Sequence, residues 1–159
     1  MKTETLERIK QLWKESIAVS IVAAGKNGLP WIQQVWKMKI DENGRIEIYE
    51  LLESSQIQKN LVYSMWFQKK VLLHLVLKDG RDFVIVTKPY HALIAGAEFE
   101  NKYEECLKEF GDEADLSTVW KLDVEKIIEE SYPAAREREK REHPYLMHMD
   151  HLINHKKEA

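Results

Sequence analysis

The sequence predicts an α+β domain, mainly β, with six antiparallel strands, flanking helices and a C-terminal helical extension. Three observations carry this. Short β-branched or alternating runs are separated by local turn signals: Gly25-Lys-Asn-Gly28, Asp41-Glu-Asn-Gly44 and Lys78-Asp-Gly80. Helical three- and four-residue spacing is confined to a few stretches between or before those runs. After Pro133 the composition changes, and Arg136 to Glu142 is charged throughout.

Residues 2–15 read as an amphipathic helix, with Leu6, Ile9, Leu12 and Trp13 on one stripe. Ser16 ends it. Ile17 to Ala24 is apolar and β-branched, which suits a strand buried on both faces. The second strand, Trp31 to Ile40, alternates. Ile32, Gln34, Trp36, Met38 and Ile40 form the set expected to face the core. Asn43-Gly44 is a hairpin signal leading into Arg45 to Leu52. On that third strand Ile46, Ile48 and Glu50 share one face.

Ser54-Ser55 is a cap for a helix running to about Trp66, with Ile57, Leu61 and Met65 four residues apart. Lys69 to Leu77 and Arg81 to Ile94 form the fourth and fifth strands, and Pro89 predicts a bulge or bend in the fifth. A helix from Glu98 to Phe110 carries Phe99, Tyr103, Cys106, Leu107 and Phe110 on one stripe, with Gly111 after its end. Ser117 to Val124 is the sixth strand. The chain divides into a domain over 1–132 and a charged, His-rich extension over 133–159.

Composition excludes several classes. With 24 Lys+Arg against 27 Asp+Glu, a uniformly basic nucleic-acid-binding surface is not expected. The single cysteine excludes an internal disulfide and a multi-cysteine zinc site. Met1 to Ser16 lacks the apolar core of a signal peptide, and no apolar run nears the ~20 residues of a membrane helix. A cytoplasmic protein without membrane or nucleic-acid partners is the expectation. No G-x-S-x-G, H-E-x-x-H or P-loop motif occurs.

The order of elements then becomes specific. The run Ile17-Ala-Val-Ser-Ile-Val-Ala-Ala leads into the turn Gly25-Lys-Asn-Gly-Leu-Pro30, a strand and the Asn43-Gly44 hairpin. Ile46-Glu-Ile-Tyr-Glu-Leu-Leu, Ser54-Ser-Gln-Ile-Gln-Lys-Asn-Leu61 and Val71-Leu-Leu-His-Leu-Val follow. This resembles the pyridoxamine 5′-phosphate oxidase-like FMN-binding split-barrel superfamily, from about Lys2 to Tyr132. The resemblance implies a six-stranded antiparallel split β-barrel and a homodimer with FMN in a groove at its interface. Carried over by position, the flavin-edge segment is Gln33, Gln34, Val35 and Trp36. The phosphate segment runs from Ser54 to Asn60 and includes Ser55, Gln56 and Lys59. Many members carry Ser-Arg-Lys or Ser-x-Lys here; this chain has Gln56 and Ile57, and Leu51 where a threonine is frequent.

Four of the six histidines lie in the last 17 residues. At about 100° per residue, His148, His151 and His155 fall within about 60° on one helix, a spacing open to a metal or haem ligand set as well as to a solvated helix edge. His74 reads as a core histidine with a satisfied ring. Three functions are therefore weighed. One is an FMN-dependent oxidoreductase of unspecified substrate. The second is a non-catalytic small-ligand or sensor dimer with a degenerate flavin site. The third is metal or haem binding through the C-terminal histidines.

Overall fold

The computed structural model describes residues 3–144. His148, His151 and His155 therefore lie outside the described residues. The element order is α1 (Thr3–Glu15), β1 (Ser16–Ala24), β2 (Pro30–Gln34), β3 (Met38–Ile40), β4 (Ile46–Glu50), α2 (Gln56–Trp66), β5 (Val71–Leu77), β6 (Asp82–Leu93), α3 (Ala97–Phe110), β7 (Thr118–Glu129) and α4 (Tyr132–Glu142). None of the described helices is long and apolar enough to cross a membrane.

All seven strands belong to one antiparallel sheet, in the order β2-β1-β5-β6-β7-β4-β3. The expected count was six. The difference lies in the second predicted strand, which is broken in its middle. β2 pairs with β1 at one end of the sheet, and β3 pairs with β4 at the other. The Val35 amide donates to the Val19 carbonyl at 2.8 Å, and the Lys37 carbonyl accepts from the Tyr49 amide at 3.1 Å. Three residues thus carry the chain from one sheet edge to the other. The sheet curls round until its ends meet on one segment, but β2 and β3 share no ladder, so the barrel is split rather than closed.

The break also changes which side chains point inward. Val35 and Met38 are both buried, although they belong to opposite sets of a regular strand. A period of two cannot place residues three apart on one face unless the strand is interrupted. Ile32 and Trp36, expected in the core, are exposed at 63% and 36%.

The barrel interior holds Ile21, Leu73, Leu75, Phe83, Ile85, Ile46, Ile48, Leu122 and Trp120. α1 adds Ile9 and Leu12, and α2 adds Ile57 and Leu61. Each such aliphatic side chain contributes roughly 1.5–3 kcal/mol by leaving water. Pro89 does mark an irregularity: the β6–β7 register shifts between Pro89 and His91, leaving Tyr90 outward beneath the Arg45 guanidinium. β7 continues past Val124 to Glu129. The charged run 136–142 is helical in α4 and buries no side chain.

β1 departs from expectation in an informative way. Its apolar run predicts burial on both faces, yet only its inward residues Val19, Ile21 and Ala23 are buried. Ile17 on the same strand is 65% exposed. His74 is likewise not in the core. It stands on the outer sheet face opposite Ser20, and its Nε2 lies 2.8 Å from Asp82 Oδ2.

α2 is tied to the end of β1 by Asn60. Its buried amide donates to the Ala23 carbonyl at 2.9 Å, and its oxygen accepts from Gln56 at 2.9 Å. A Cβ on Gly25 would stand 2.5 Å from that oxygen, closer than atoms pack. Gly25→Ala should therefore cost about 1–3 kcal/mol through overpacking, and Asn60→Ala about 1–3 kcal/mol through the unpaired Ala23 carbonyl. The double variant should lose less than the sum, because removing the amide relieves the clash. Urea unfolding of the four proteins measures this; strict additivity would contradict the contact.

Candidate functional site

The sequence-predicted residues are spread over β2 and two separate depressions beside α2, with Val35 in the core. β2 forms one wall of the split. Because Val35 donates to Val19, the alternation of an antiparallel ladder turns the backbone N–H and C=O of Ile32 and Gln34 away from β1. These groups line the free edge of the sheet. Gln34 and Trp36 are exposed beside them, whereas Val35 is buried in the core. The end of β4 and the start of α2 form the other wall.

Gln33 joins the two walls. Its side-chain amide donates to Glu50 Oε2 at 2.9 Å, across the split. The other carboxylate oxygen of Glu50 accepts from the Leu52 amide at 2.9 Å. Glu50 is 2% exposed. Burial is the largest influence on it and pushes its carboxyl above the ordinary range; the bonds from Leu52 and Gln33 pull the other way. Glu50 was absent from the sequence-predicted site. Its signal was a carboxylate in register with Ile46 and Ile48 on the inward face of the third strand.

The α2 residues are already occupied. The Ser55 hydroxyl accepts from the Gln58 amide at 3.0 Å, an ordinary helix cap. Gln56 donates to Asn60, and Ile57 is buried in the core. Gln58, also outside the predicted set, accepts from the Trp120 indole at 2.8 Å and donates to Thr118. Lys59 is exposed. Gln56 and Asn60 border an open depression of about 490 Å³ with Gly25, Lys26 and Asn27. Ser54 lies apart from Gln56, in a hollow of about 700 Å³ beside Leu51, Leu52, Glu53, Phe110, Glu113 and Asp115.

This donor set suits part of a flavin mononucleotide. A free strand edge of alternating donors and acceptors, with Trp36 beside it, matches a flat heteroaromatic ring whose rim alternates in the same way. At the phosphate positions few side-chain donors are free, although Lys26 borders the depression beside Gln56 and Asn60. The hydroxyl of Ser55 and the amide of Gln56 are engaged within the helix, and Ile57 is a core residue. Among the described residues, no group of three or more His, Cys, Asp or Glu is placed to hold a metal ion. Cys106 is wholly buried, and burial raises its thiol, so it is a packing residue.

No family model and no curated protein sequence matches the chain. Solved structures do. HupZ of Group A Streptococcus is similar at 16% identity, covering 83% of this chain and 96% of its own, with a TM-score of 0.64. An FMN-binding protein from Syntrophomonas wolfei is 14% identical, over 80% of this chain and 92% of its own, with a TM-score of 0.61. A Clostridium acetobutylicum protein related to general stress protein 26 of B. subtilis, of the pyridoxinephosphate oxidase family, is 18% identical, over 84% of this chain and 98% of its own, with a TM-score of 0.54. The chain therefore has the fold of the FMN-binding, pyridoxamine 5′-phosphate oxidase-like split barrels.

The buried Glu50 gives a pH prediction. Its folded carboxyl titrates above its unfolded value, so the folded state disfavours the charged form. Stability from this group is full below the ordinary carboxylate range and is lost as pH rises through the raised folded value. Glu50→Gln should therefore gain stability relative to the parent as pH rises from acid to neutral. Denaturation midpoints compared at acid and neutral pH check it. A constant difference across that range would contradict the desolvated carboxylate.

Proposed function

We propose that the chain is a flavin-binding homodimer, an FMN-binding oxidoreductase-like protein whose ring site is the split between β2 and β4. The observation that carries the reading is the free backbone edge of Ile32 and Gln34 on β2, beside the Gln33–Glu50 hydrogen bond that crosses the split. Bound there, a flavin supplies hydride or single-electron transfer. The strand edge would hold the ring rim, Trp36 would cover part of its face, and the Gln33–Glu50 pair would fix the width of the split. The likeness to an FMN-binding protein and to a pyridoxinephosphate oxidase-family protein supports this reading.

The outer sheet face supports the dimer. Cross-strand partners place Ile32, Val22 and Leu72 in one row on its outside, next to Val86, which is already buried within the protomer. Ile32 and Leu72 are exposed in the single chain. The outer side of β1 carries Ala18, Ser20, Val22 and Ala24, and among the described residues only its inner side is fully covered. A second copy packed on this row would cover the other and place two ring grooves at the interface, the arrangement that a twofold contact permits.

Purified protein incubated with FMN should turn yellow and retain flavin absorption after desalting. Colourless protein that leaves flavin fluorescence unchanged would falsify the cofactor reading. Sedimentation should give a dimer, and Leu72→Glu should shift it to monomer by placing a charge in a desolvated row. A monomeric parent protein would exclude the interface.

A further inference from the structure

We infer that the outer stripe of α2, with the turn that follows it, docks on an anionic phospholipid surface. α2 is inverted relative to an ordinary surface helix. At about 100° per residue, Lys59, Val62, Tyr63 and Trp66 share one stripe, and Ile57, Asn60, Leu61 and Ser64 share the opposite one. The second stripe is buried against the barrel, its two polar side chains included. The first faces away and is largely apolar where charged residues are usual. Trp66 is 76% exposed and Phe67 60%, and the Tyr63 and Phe67 rings stack at 4.6 Å. A helix that is apolar on both sides is ordinarily covered on both, and an exposed aromatic cluster of this kind marks a contact site.

The charge around the stripe selects the occupant. The chain has 27 Asp+Glu, yet none occurs from Ser16 to Ile40 or from Ser54 to Lys78. These two stretches meet in space. α2 packs against β1 and β2, and Lys26 in the turn between those strands borders the same depression as Gln56 and Asn60. Among the described residues Lys70 reaches Glu125 at 2.7 Å, whereas Lys26, Lys59 and Lys69 are exposed and have no carboxylate partner. A second copy on the same stripe would set these lysines against their own images, with no carboxylate in either stretch to offset them. Single-stranded nucleic acid binds along grooves whose aromatics stack on its bases, but these aromatics stand on the outer side of a helix beside aliphatic Val62. A headgroup layer matches both parts of the surface. Trp and Phe rings lodge where headgroups meet acyl chains, and lysine stems carry their ammonium groups to the phosphates.

Flotation of the purified full chain with vesicles of phosphatidylcholine, alone or with about 30 mol% phosphatidylglycerol, tests this. Binding should require the anionic lipid and should fall about fivefold or more as salt rises from about 20 to about 500 mM. Trp66 and Phe67 are exposed, so Trp66→Ser with Phe67→Ser should fold as the parent does and lose about tenfold or more in vesicle affinity. Lys59→Gln with Lys69→Gln should lose about threefold or more on the anionic vesicles. No binding to anionic vesicles at low salt, or binding that both paired variants leave unchanged, would overturn the inference. So would a parent dimer that the Trp66 and Phe67 variant converts to monomer, which assigns the stripe to a second copy. Tighter binding to single-stranded oligothymidylate than to anionic vesicles, lost in the same variant, would overturn it in favour of nucleic acid.

Discussion

The structure depends on one interruption. Between Val35 and Lys37 a single segment stops pairing with β1 and starts pairing with β4. Because both ends of the sheet come from that segment, the sheet must curl until its edges approach each other. The same interruption leaves a free strand edge, brings Gln33 within hydrogen-bonding distance of Glu50, and reverses which side chains of the segment face inward. A regular strand pairing with β1 along one edge and β4 along the other would have closed the barrel, and the split would not exist.

The rest of the chain supports that frame from two sides. α2 enters the barrel with Ile57 and Leu61 and is held to the end of β1 by the Asn60 amide. α3 lies over the outside of β3, β4 and β7. Its Cys106, Phe99 and Tyr103 pack with Tyr49, Leu93 and Val119 as a second cluster. Charges align along the same contact. Lys37 pairs with Glu109, Lys39 with Glu105, and Lys121 with Glu98. Glu47, 2% exposed, accepts from Lys102 at 2.8 Å and lies 3.6 Å from Lys121, so its buried charge is matched from two elements. Such a pair contributes little as a net stabiliser, but removing one partner leaves a buried charge uncompensated. It fixes where α3 sits.

Features set by local chemistry were legible in the sequence. The Asn43-Gly44 turn, the Ser55 cap and the Pro89 bulge each depend on a few adjacent residues, and each occurs where local signals put it. The site was legible as segments and not as contacts. Gln33 and Gln34 are neighbours, yet one reaches a buried carboxylate and the other stays exposed. Glu50 looked like an ordinary strand residue because nothing nearby in sequence reveals its partner, 17 positions away. His74 looked like a core residue because its neighbours are apolar. Those neighbours face the core, and alternation turns His74 outward to Asp82.

By itself the sequence determined the elements, their order and their local connections, because propensity, turn chemistry and periodicity act over a few residues. It also determined that β1 is apolar on both sides. Only the tertiary structure decided that the second predicted strand is two, that the split opens between β2 and β4, and that one face of β1 is only partly covered by the described residues. Those outcomes arise from pairing residues far apart in the chain, and a strand's own pattern does not say which neighbour it will meet or where it must change neighbours.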